Sequence, residues 1–258
     1  MIQRMVSSAV IAGLAVGLLA AVLHFAFLQG LILEAERYET GALVHFAPGG
    51  AGHEHHAVAA AGGDVASETT GTAATEPAVT PSDPGQDTGG KAGGVTARNA
   101  LTVFFKIGMQ IAFALLLVAG FSVAETYGRR ITARDGLLWG IAGFAAFQLA
   151  PAMGLAPELP GTMAAALEAR QLWWVSVVAA TGVALALLGY GRGPAAWGAA
   201  LILLAAPHLI GAPELDGYSG VTPPELSAAF AARTLGCGLI AWAALGWLAG
   251  HLWSGQTG

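Results

Sequence analysis

Residues 201–215 read LILLAAPHLIGAPEL, and this stretch decides the class of fold. Its aliphatic run contains Pro207 and His208 and breaks at Gly211. An ionisable histidine inside an apolar segment of membrane length is costly, so it is usually functional or paired. Pro207 removes a backbone donor beside it and loosens the helix. The stretch therefore predicts a membrane helix that carries a functional histidine near one end.

The composition agrees with a membrane protein. Apolar residues make up 55% of the 258 residues, charged residues make up 10%, and the mean hydropathy is +0.63. A soluble domain carries roughly 25% charged residues, and several apolar stretches here reach the roughly 18–20 residues that cross a bilayer. The net charge of −5 says little about nucleic acid, and no basic patch argues for nucleic acid as a partner. The single cysteine, Cys237, excludes a disulfide framework within the chain.

The apolar pattern predicts an all-α integral membrane protein with about six transmembrane helices. The predicted spans are 5–28, 101–124, 136–149, from about 173 to 190, 195–211 and 230–253. Glycine pairs spaced four residues apart predict close helix packing in the first, third and sixth helices. These pairs begin at Gly13, Gly136 and Gly246. Pro151 is expected to stop the third helix. The chain thus divides into a first helix (1–33), a loop (34–100) and a five-helix bundle (101–258).

The loop after the first helix has a different composition. Residues 40–98 are rich in Gly, Ala, Thr and Pro and are expected to be disordered, because they cannot bury enough surface to offset ordering entropy. Near its start stand His45, His53, His55 and His56, with Glu54 between them. Imidazole binds Zn, Cu, Ni and Co ions well, so the tract is interpreted as a loose, low-affinity metal acceptor. The alternative is a solvated tail with incidental histidines.

Charge predicts the orientation in the membrane. Arg129, Arg130 and Arg134 form the densest basic cluster, in a short loop, and such loops face the cytoplasm. The amino terminus then lies inside, and fourteen of the sixteen acidic residues lie outside. Five polar residues fall near the outer ends of their helices: His24, Gln148, Glu158, His208 and Glu214. An acidic, histidine-bearing outer surface suits uptake of a divalent cation, although proton relays and cofactor ligands use the same residue types.

Five strings in fixed order carry a resemblance to a known family. They are LILEAERYE (31–39), WGIAGFAAFQLAP (139–151), PELPG (157–161), RQLWW (170–174) and PHLIGAP (207–213). The sequence resembles the CbtA family of predicted cobalt transporter subunits. The resemblance implies a multi-pass protein of the bacterial inner membrane that imports cobalt for cobalamin synthesis. It also implies a partner, the small single-span CbtB with a histidine-containing tail. Descriptions of the family often count five spans rather than six.

We therefore expect a permease subunit and not an enzyme. The chain has no GxxxxGK[ST] phosphate loop, no HExxH zinc motif and no GxSxG nucleophile turn. In this hypothesis the loop histidines gather Co²⁺, and membrane residues admit it, with Arg170 as a structural partner of Glu158 or Glu168. The candidate metal-binding residues are His24, Glu34, His53, His55, His56, Glu158, His208 and Glu214. No resident cofactor is expected, and cobalt is the cargo.

The residues leave three alternatives open. The first is a nickel rather than a cobalt permease, since both ions accept imidazole and carboxylate. The second is a non-transporting accessory subunit whose histidines are hydrogen-bonded between helices, and the third, more remote, is a membrane oxidoreductase in which His24 and His208 ligate haem.

Overall fold

The computed structural model describes residues 2–44, 88–215, 217 and 220–255. Within these residues the regular secondary structure is helical, as predicted, and it comprises eight α-helices, two π-helical segments and no strand. The elements are α1 (Ile2–Leu23), the first π-helical segment (His24–Leu28), α2 (Gln29–Glu39), α3 (Thr88–Thr126), α4 (Ala133–Phe144), the second π-helical segment (Ala145–Leu149), α5 (Ala150–Ala152), α6 (Leu167–Tyr190), α7 (Pro194–Ile210) and α8 (Pro224–Gly255).

The helices are those of a multi-pass membrane protein. In the described part of the chain, four segments are long and apolar enough to cross a membrane: Ile2–Glu39, Gly94–Thr126, Leu167–Tyr190 and Pro224–Gly255. Pro194–Ile210 is a shorter apolar helix. Their outward surfaces are apolar: Leu209 is 84% exposed and Ile210 is 83% exposed. Such extensive exposed apolar surface marks contact with lipid rather than with water.

Close glycine packing joins α1 to α3, as the spacing predicted. A Cβ atom added at Gly13 would lie 2.5 Å from the Cα atom of Ile111, and one at Gly17 would lie 2.5 Å from the Cα atom of Ile107. Because both obstacles are backbone atoms, only glycine allows this approach. The pairing also shows that α1 and α3 run antiparallel.

Glycines on both partners join α4 to α8. A Cβ atom at Gly140 would lie 3.0 Å from the Cα atom of Gly246, and one at Gly136 would lie 2.8 Å from the Cα atom of Gly250. Without hydrophobic driving force in lipid, helices associate through such tight van der Waals contact. The predicted small-residue faces of the third and sixth helices are therefore confirmed, and they face each other.

Helix α8 forms the centre of the bundle. It packs against α1, α3 and α4, and its Trp242 and Trp253 side chains are at most 1% exposed. The Phe113 ring of α3 lies 4.6 Å from the Trp242 ring, measured between centroids. Helix α7 has a different position, because among the described helices it packs only against α6.

A charged network ties three helices together at the end that carries the amino terminus. The Arg4 Nη2 atom donates to the Trp253 carbonyl oxygen (2.6 Å) and to the Glu125 Oε1 atom (3.4 Å). The Trp253 Nε1 atom donates to the same carboxylate oxygen at 2.7 Å, and the Arg4 guanidinium lies 3.8 Å from the Trp253 ring centroid. These contacts hold the ends of α1, α3 and α8 at one level.

Pro151 does not stop the third helix, contrary to the sequence prediction. The helical segment starts at Ala133, after a capping box of Thr132 and Asp135, and continues to Ala152. In the π-helical segment before Pro151, the Ala150 amide bonds to the Ala145 carbonyl, five residues back. This wider turn relieves the clash that a proline ring makes with the carbonyl four residues earlier in an α-helix.

The predicted loop also begins later and ends earlier than its 34–100 boundaries. Helix α2 continues to Glu39, and α3 begins at Thr88, so the expected disorder of 40–98 does not hold for residues 88–98. Once a helix is nucleated, each further residue adds a backbone hydrogen bond. An ion pair between Arg98 and Glu36 (3.3 Å) additionally joins the extended end of α3 to α2.

Candidate functional site

His24 lies at the start of the first π-helical segment. The Gln29 amide bonds to the His24 carbonyl, five residues back, so the helix widens at this histidine. The Gln29 Oε1 atom lies 3.2 Å from the His24 Nε2 atom. Because a carbonyl oxygen only accepts, Nε2 carries the proton, and Nδ1 presents its lone pair. The Nδ1 atom is buried and has no hydrogen-bond partner among the described residues.

Lys106 of α3 is the charged neighbour of His24. The two side chains interact electrostatically, and Lys106 also interacts with Cys237 of α8. Lys106 is half-buried and makes no ion pair with a carboxylate of the described chain. Lys106 therefore lies near the candidate histidine and near α8.

His208 lies on the other side of the bundle, between α6 and α7. Its ring packs edge-on against Trp173, with centroids 6.1 Å apart. The Trp173 Nε1 atom donates to the Pro207 carbonyl oxygen at 3.2 Å, which holds the two helices together. Because α7 does not contact the helical segment of His24, the structure does not bring the two histidines into one pair of packed helices.

Glu158 lies in the segment after α5 and is already paired. Its Oε2 atom accepts a hydrogen bond from the Arg170 Nη2 atom at 2.7 Å, so of the two partners expected for Arg170, Glu158 is the one observed. The nearby Gly161 has φ +80°, and a Cβ atom there would lie 2.8 Å from the Val221 Cγ2 atom. This tight turn packs the segment of Glu158 against the segment that precedes α8.

The other acidic candidates are exposed. Glu34 is exposed on α2, and Glu214 is exposed in the segment after α7. The predicted loop acceptors His53, His55 and His56, together with His45, lie outside the described residues. Within the described ranges, no group of three or more His, Cys, Asp or Glu side chains is arranged to hold a metal ion. The predicted residues that the structure describes therefore do not form a single metal-binding cluster.

Comparison with known proteins identifies the family. Residues 2–254 match the family described as "Probable cobalt transporter subunit (CbtA)". The chain belongs to the CbtA family. No curated protein and no solved structure matches the chain. The family match covers both halves of the membrane bundle, so the fold described above is that of a CbtA subunit.

For this CbtA chain, sequence reasoning did not select Gln110, and it placed Gln148 near a helix end without making it a candidate metal-binding residue. Gln110 is 9% exposed and Gln148 lies in the second π-helical segment. Both side chains have an Oε1 atom that is buried without a hydrogen-bond partner in the described chain. A signal was present in the sequence, because Lys106 and Gln110 stand four residues apart in an apolar helix and so share one face.

Proposed function

We propose that this CbtA chain is the membrane subunit through which Co²⁺ enters a bacterial cell across the inner membrane, for use in cobalamin synthesis. The observation that carries this proposal is the family match over residues 2–254. The bundle itself offers apolar helices for the bilayer and ionisable groups between them. Imidazole is a suitable ligand for Co²⁺, and ionisable residues inside a membrane mark ion pathways by default.

The proposed orientation places the amino terminus in the cytoplasm, with six spans. Its support is the basic cluster Arg129, Arg130 and Arg134 in the connection between α3 and α4, since short cytoplasmic loops are rich in arginine and lysine. The Arg4 network lies at the same end, because it joins the start of α1 to Glu125 at the end of α3. The long loop and most of the acidic residues would then face outwards.

The proposed route begins at the acidic outer surface. His53, His55 and His56 of the loop would gather the cation, and a surface with excess negative charge raises its local concentration. Glu34, Glu158 and Glu214 would attract it to the helix ends, and the lone pair of His24 Nδ1 would accept it. His208 is a second acceptor at the α6–α7 pair. Glu158 contributes only when its ion pair with Arg170 opens.

A partner subunit is part of the proposal. The family is described as a transporter subunit, which favours an assembly with a second chain. A small single-span protein with a histidine-containing tail, of the CbtB type, fits this role because its tail would pass metal to the outer histidines.

The test is accumulation of radioactive cobalt in cells that express the chain, with and without the small histidine-tailed subunit. We expect accumulation above the empty vector, and a loss of about tenfold in the His24→Ala variant, the size of effect that metal-site groups commonly have. His251→Ala is the matched control, because His251 stacks on Trp247 at the other end of α8. Membrane abundance of each variant is measured in parallel.

Three outcomes contradict parts of the proposal. Absence of cobalt uptake with every partner favours the accessory-subunit alternative. Uptake of nickel in preference to cobalt would show that nickel is the transported ion. Equal uptake by His24→Ala and His251→Ala removes His24 from the route while leaving transport in place.

A further inference from the structure

A cleft opens between α3, α4 and α6 at the end of the bundle that carries the amino terminus. Its volume is about 560 Å³, within the range of roughly 300–1,000 Å³ that sites for a single small ligand have. Trp173 and Val177, in the first half of α6, pack with Ala150, whereas the second half of α6 lines the cleft. The cleft is therefore the place where α6 and α4 separate.

The walls of the cleft are apolar. They include Leu116 and Leu117 of α3, Leu138 and Ala142 of α4, and Gly182 and Leu185 of α6. A Cβ atom added at Gly182 would meet no atom within 4 Å, so the α6 wall leaves open space at this position. An open space with hydrocarbon walls suits a hydrocarbon chain as its occupant.

The depth of the cleft is about that of one membrane leaflet. The cleft extends from Asp135, in the first turn of α4, to Phe147 in the second π-helical segment. Positions 135 and 147 are twelve residues apart on one continuous helical run, or about 18 Å at 1.5 Å per residue. Half of a hydrocarbon core of about 30 Å is about 15 Å. A transmembrane helix of a second protein needs a groove along the full thickness, so the depth favours a lipid chain.

Two arginines stand at the open end of the cleft. Arg129 and Arg130 line it and belong to the short connection between α3 and α4. The Arg129 amide donates to the Ala124 carbonyl oxygen at 3.1 Å, and Ile131 on the other side of the pair is 5% exposed. The backbone is therefore held on both sides of the two arginines, which keeps their guanidinium groups near the cleft.

Tyr190 of α6 and Trp139 of α4 mark the level of the lipid headgroups, since both residue types are enriched where a membrane meets water. The Trp139 Nε1 atom donates to the Tyr190 hydroxyl oxygen at 3.1 Å. The Arg129 guanidinium carbon lies 5.5 Å from the Tyr190 ring centroid, so these residues together span the mouth of the cleft. The Tyr190 hydroxyl can still donate its own hydrogen to an acceptor bound there.

The charges at the mouth of the cleft are unbalanced. Neither Arg129 nor Arg130 belongs to an ion pair of the described chain. Asp135 is the one carboxylate among the described residues that line the cleft, and it interacts electrostatically with Arg129 and Arg134. Its Oδ2 atom accepts from the Thr132 amide (3.0 Å) and hydroxyl (2.7 Å). The two lining guanidinium groups and this carboxylate leave one net positive charge, which complements the one negative charge of a phosphodiester.

We propose that the cleft binds one anionic glycerophospholipid, with an acyl chain between α4 and α6 and its phosphodiester at Arg129, Arg130 and the Tyr190 hydroxyl. Arginine pairs bidentately with phosphate oxygens, and basic pockets between transmembrane helices bind anionic headgroups. A zwitterionic lipid adds an ammonium group, which the net positive charge repels. The inference requires only that this end of the bundle reaches a headgroup layer. It therefore goes beyond cobalt transport and does not depend on it.

The experiment titrates the purified full-length chain in detergent with phosphatidylglycerol or with phosphatidylethanolamine of the same acyl chains, and counts bound lipids by native mass spectrometry. We expect the first phosphatidylglycerol to bind about fivefold more tightly than the first phosphatidylethanolamine. Arg129→Gln and Arg130→Gln should each weaken phosphatidylglycerol binding about fivefold. Arg134→Gln is the matched control, because Arg134 has the same charge at the same end but does not line the cleft, and it should bind within about twofold of wild type.

Gly182→Leu tests the apolar part of the site. Leucine adds hydrocarbon to an open wall of the cleft and should weaken phosphatidylglycerol binding on the order of tenfold, since each excluded methylene is worth about fourfold. Leucine also favours helix more than glycine does, so the variant should unfold at the same or a higher temperature. Gly236→Leu of α8 is its control, because that position is equally open but lies outside the cleft.

Three results would overturn the inference. The first is equal affinity of the wild-type chain for the two lipids. The second is equal weakening by Arg134→Gln and Arg129→Gln, which would show that general positive charge attracts the lipid. The third is equal lipid binding by Gly182→Leu and Gly236→Leu, which would leave the cleft to another occupant, such as a helix of a second protein. Absence of cobalt accumulation in cells refutes the proposed function alone and leaves these lipid measurements unchanged.

Discussion

Replacement of Gly246 by alanine tests the packing that holds α4 to α8. A Cβ atom at this position would lie 2.6 Å from the Gly140 Cα atom and closer still to the Gly136 carbonyl oxygen. Ordinary contact begins near 3.4 Å, so the two backbones must separate by most of an ångström. A gap of about 0.5–1 Å forfeits a quarter to a half of each van der Waals contact, and overpacking typically costs about 1–3 kcal/mol.

Gly236→Ala is the matched control on the same helix. A Cβ atom at Gly236 meets no atom within 4 Å, so alanine there should add roughly 0.5–1 kcal/mol of stability through reduced backbone entropy. The two variants should therefore differ by about 1.5–4 kcal/mol in the free energy of unfolding, and at least a tenfold difference in the unfolding equilibrium follows.

The assay is reversible unfolding in mixed micelles with increasing SDS, followed by tryptophan fluorescence and circular dichroism. Trp242 and Trp253 of α8 are buried, so their emission should report separation of the helices. Gly246→Ala should unfold at lower SDS than wild type, and Gly236→Ala at the same or higher SDS. Equal or greater stability of Gly246→Ala relative to Gly236→Ala would refute the proposed glycine contact.

Two further predictions concern the end of the bundle that carries the amino terminus. Glu125→Gln removes the charge that Arg4 and the Trp253 indole both contact. The free energy of unfolding in the same assay should therefore fall by about 1.5–3 kcal/mol, the range for hydrogen bonds to charged groups. An unchanged unfolding midpoint would show that the network contributes nothing to stability. Thr132→Ala removes the side chain that accepts from the Asp135 amide at the start of α4, which should lower stability by about 1 kcal/mol, and Thr132→Ser should restore it.

Sequence determined the class of fold and much of its local packing. The apolar composition required helices in a membrane, because lipid offers no partner for backbone polar groups. The segment after Gly193 was predicted as 195–211 and is observed as Pro194–Ile210, since Pro at the first turn and Gly after the last are strong boundary signals. The Gly13 and Gly246 pairs were recognisable from spacing alone. The helix boundaries and the glycine pairs could be predicted because each depends only on residues that are close in the sequence.

The loop histidines and the division into three domains stay predictions, because residues 45–87 lie outside the described part of the chain. The count of six spans, the location in the inner membrane and the cytoplasmic amino terminus also stay predictions. The sequence offered Glu158 and Glu168 as partners of Arg170, and the folded chain pairs Arg170 with Glu158.

Tertiary structure decided which polar residues meet. Sequence gives the depth of a residue along its helix, but not the direction in which its face points within the bundle. His24 and His208 have similar predicted depth, yet His208 packs on Trp173 whereas His24 lies near Lys106. The π-helical turns at His24 and before Pro151 were not predicted from the sequence either. Rotation about the helix axis is fixed by contacts between distant segments, and only the folded bundle supplies them.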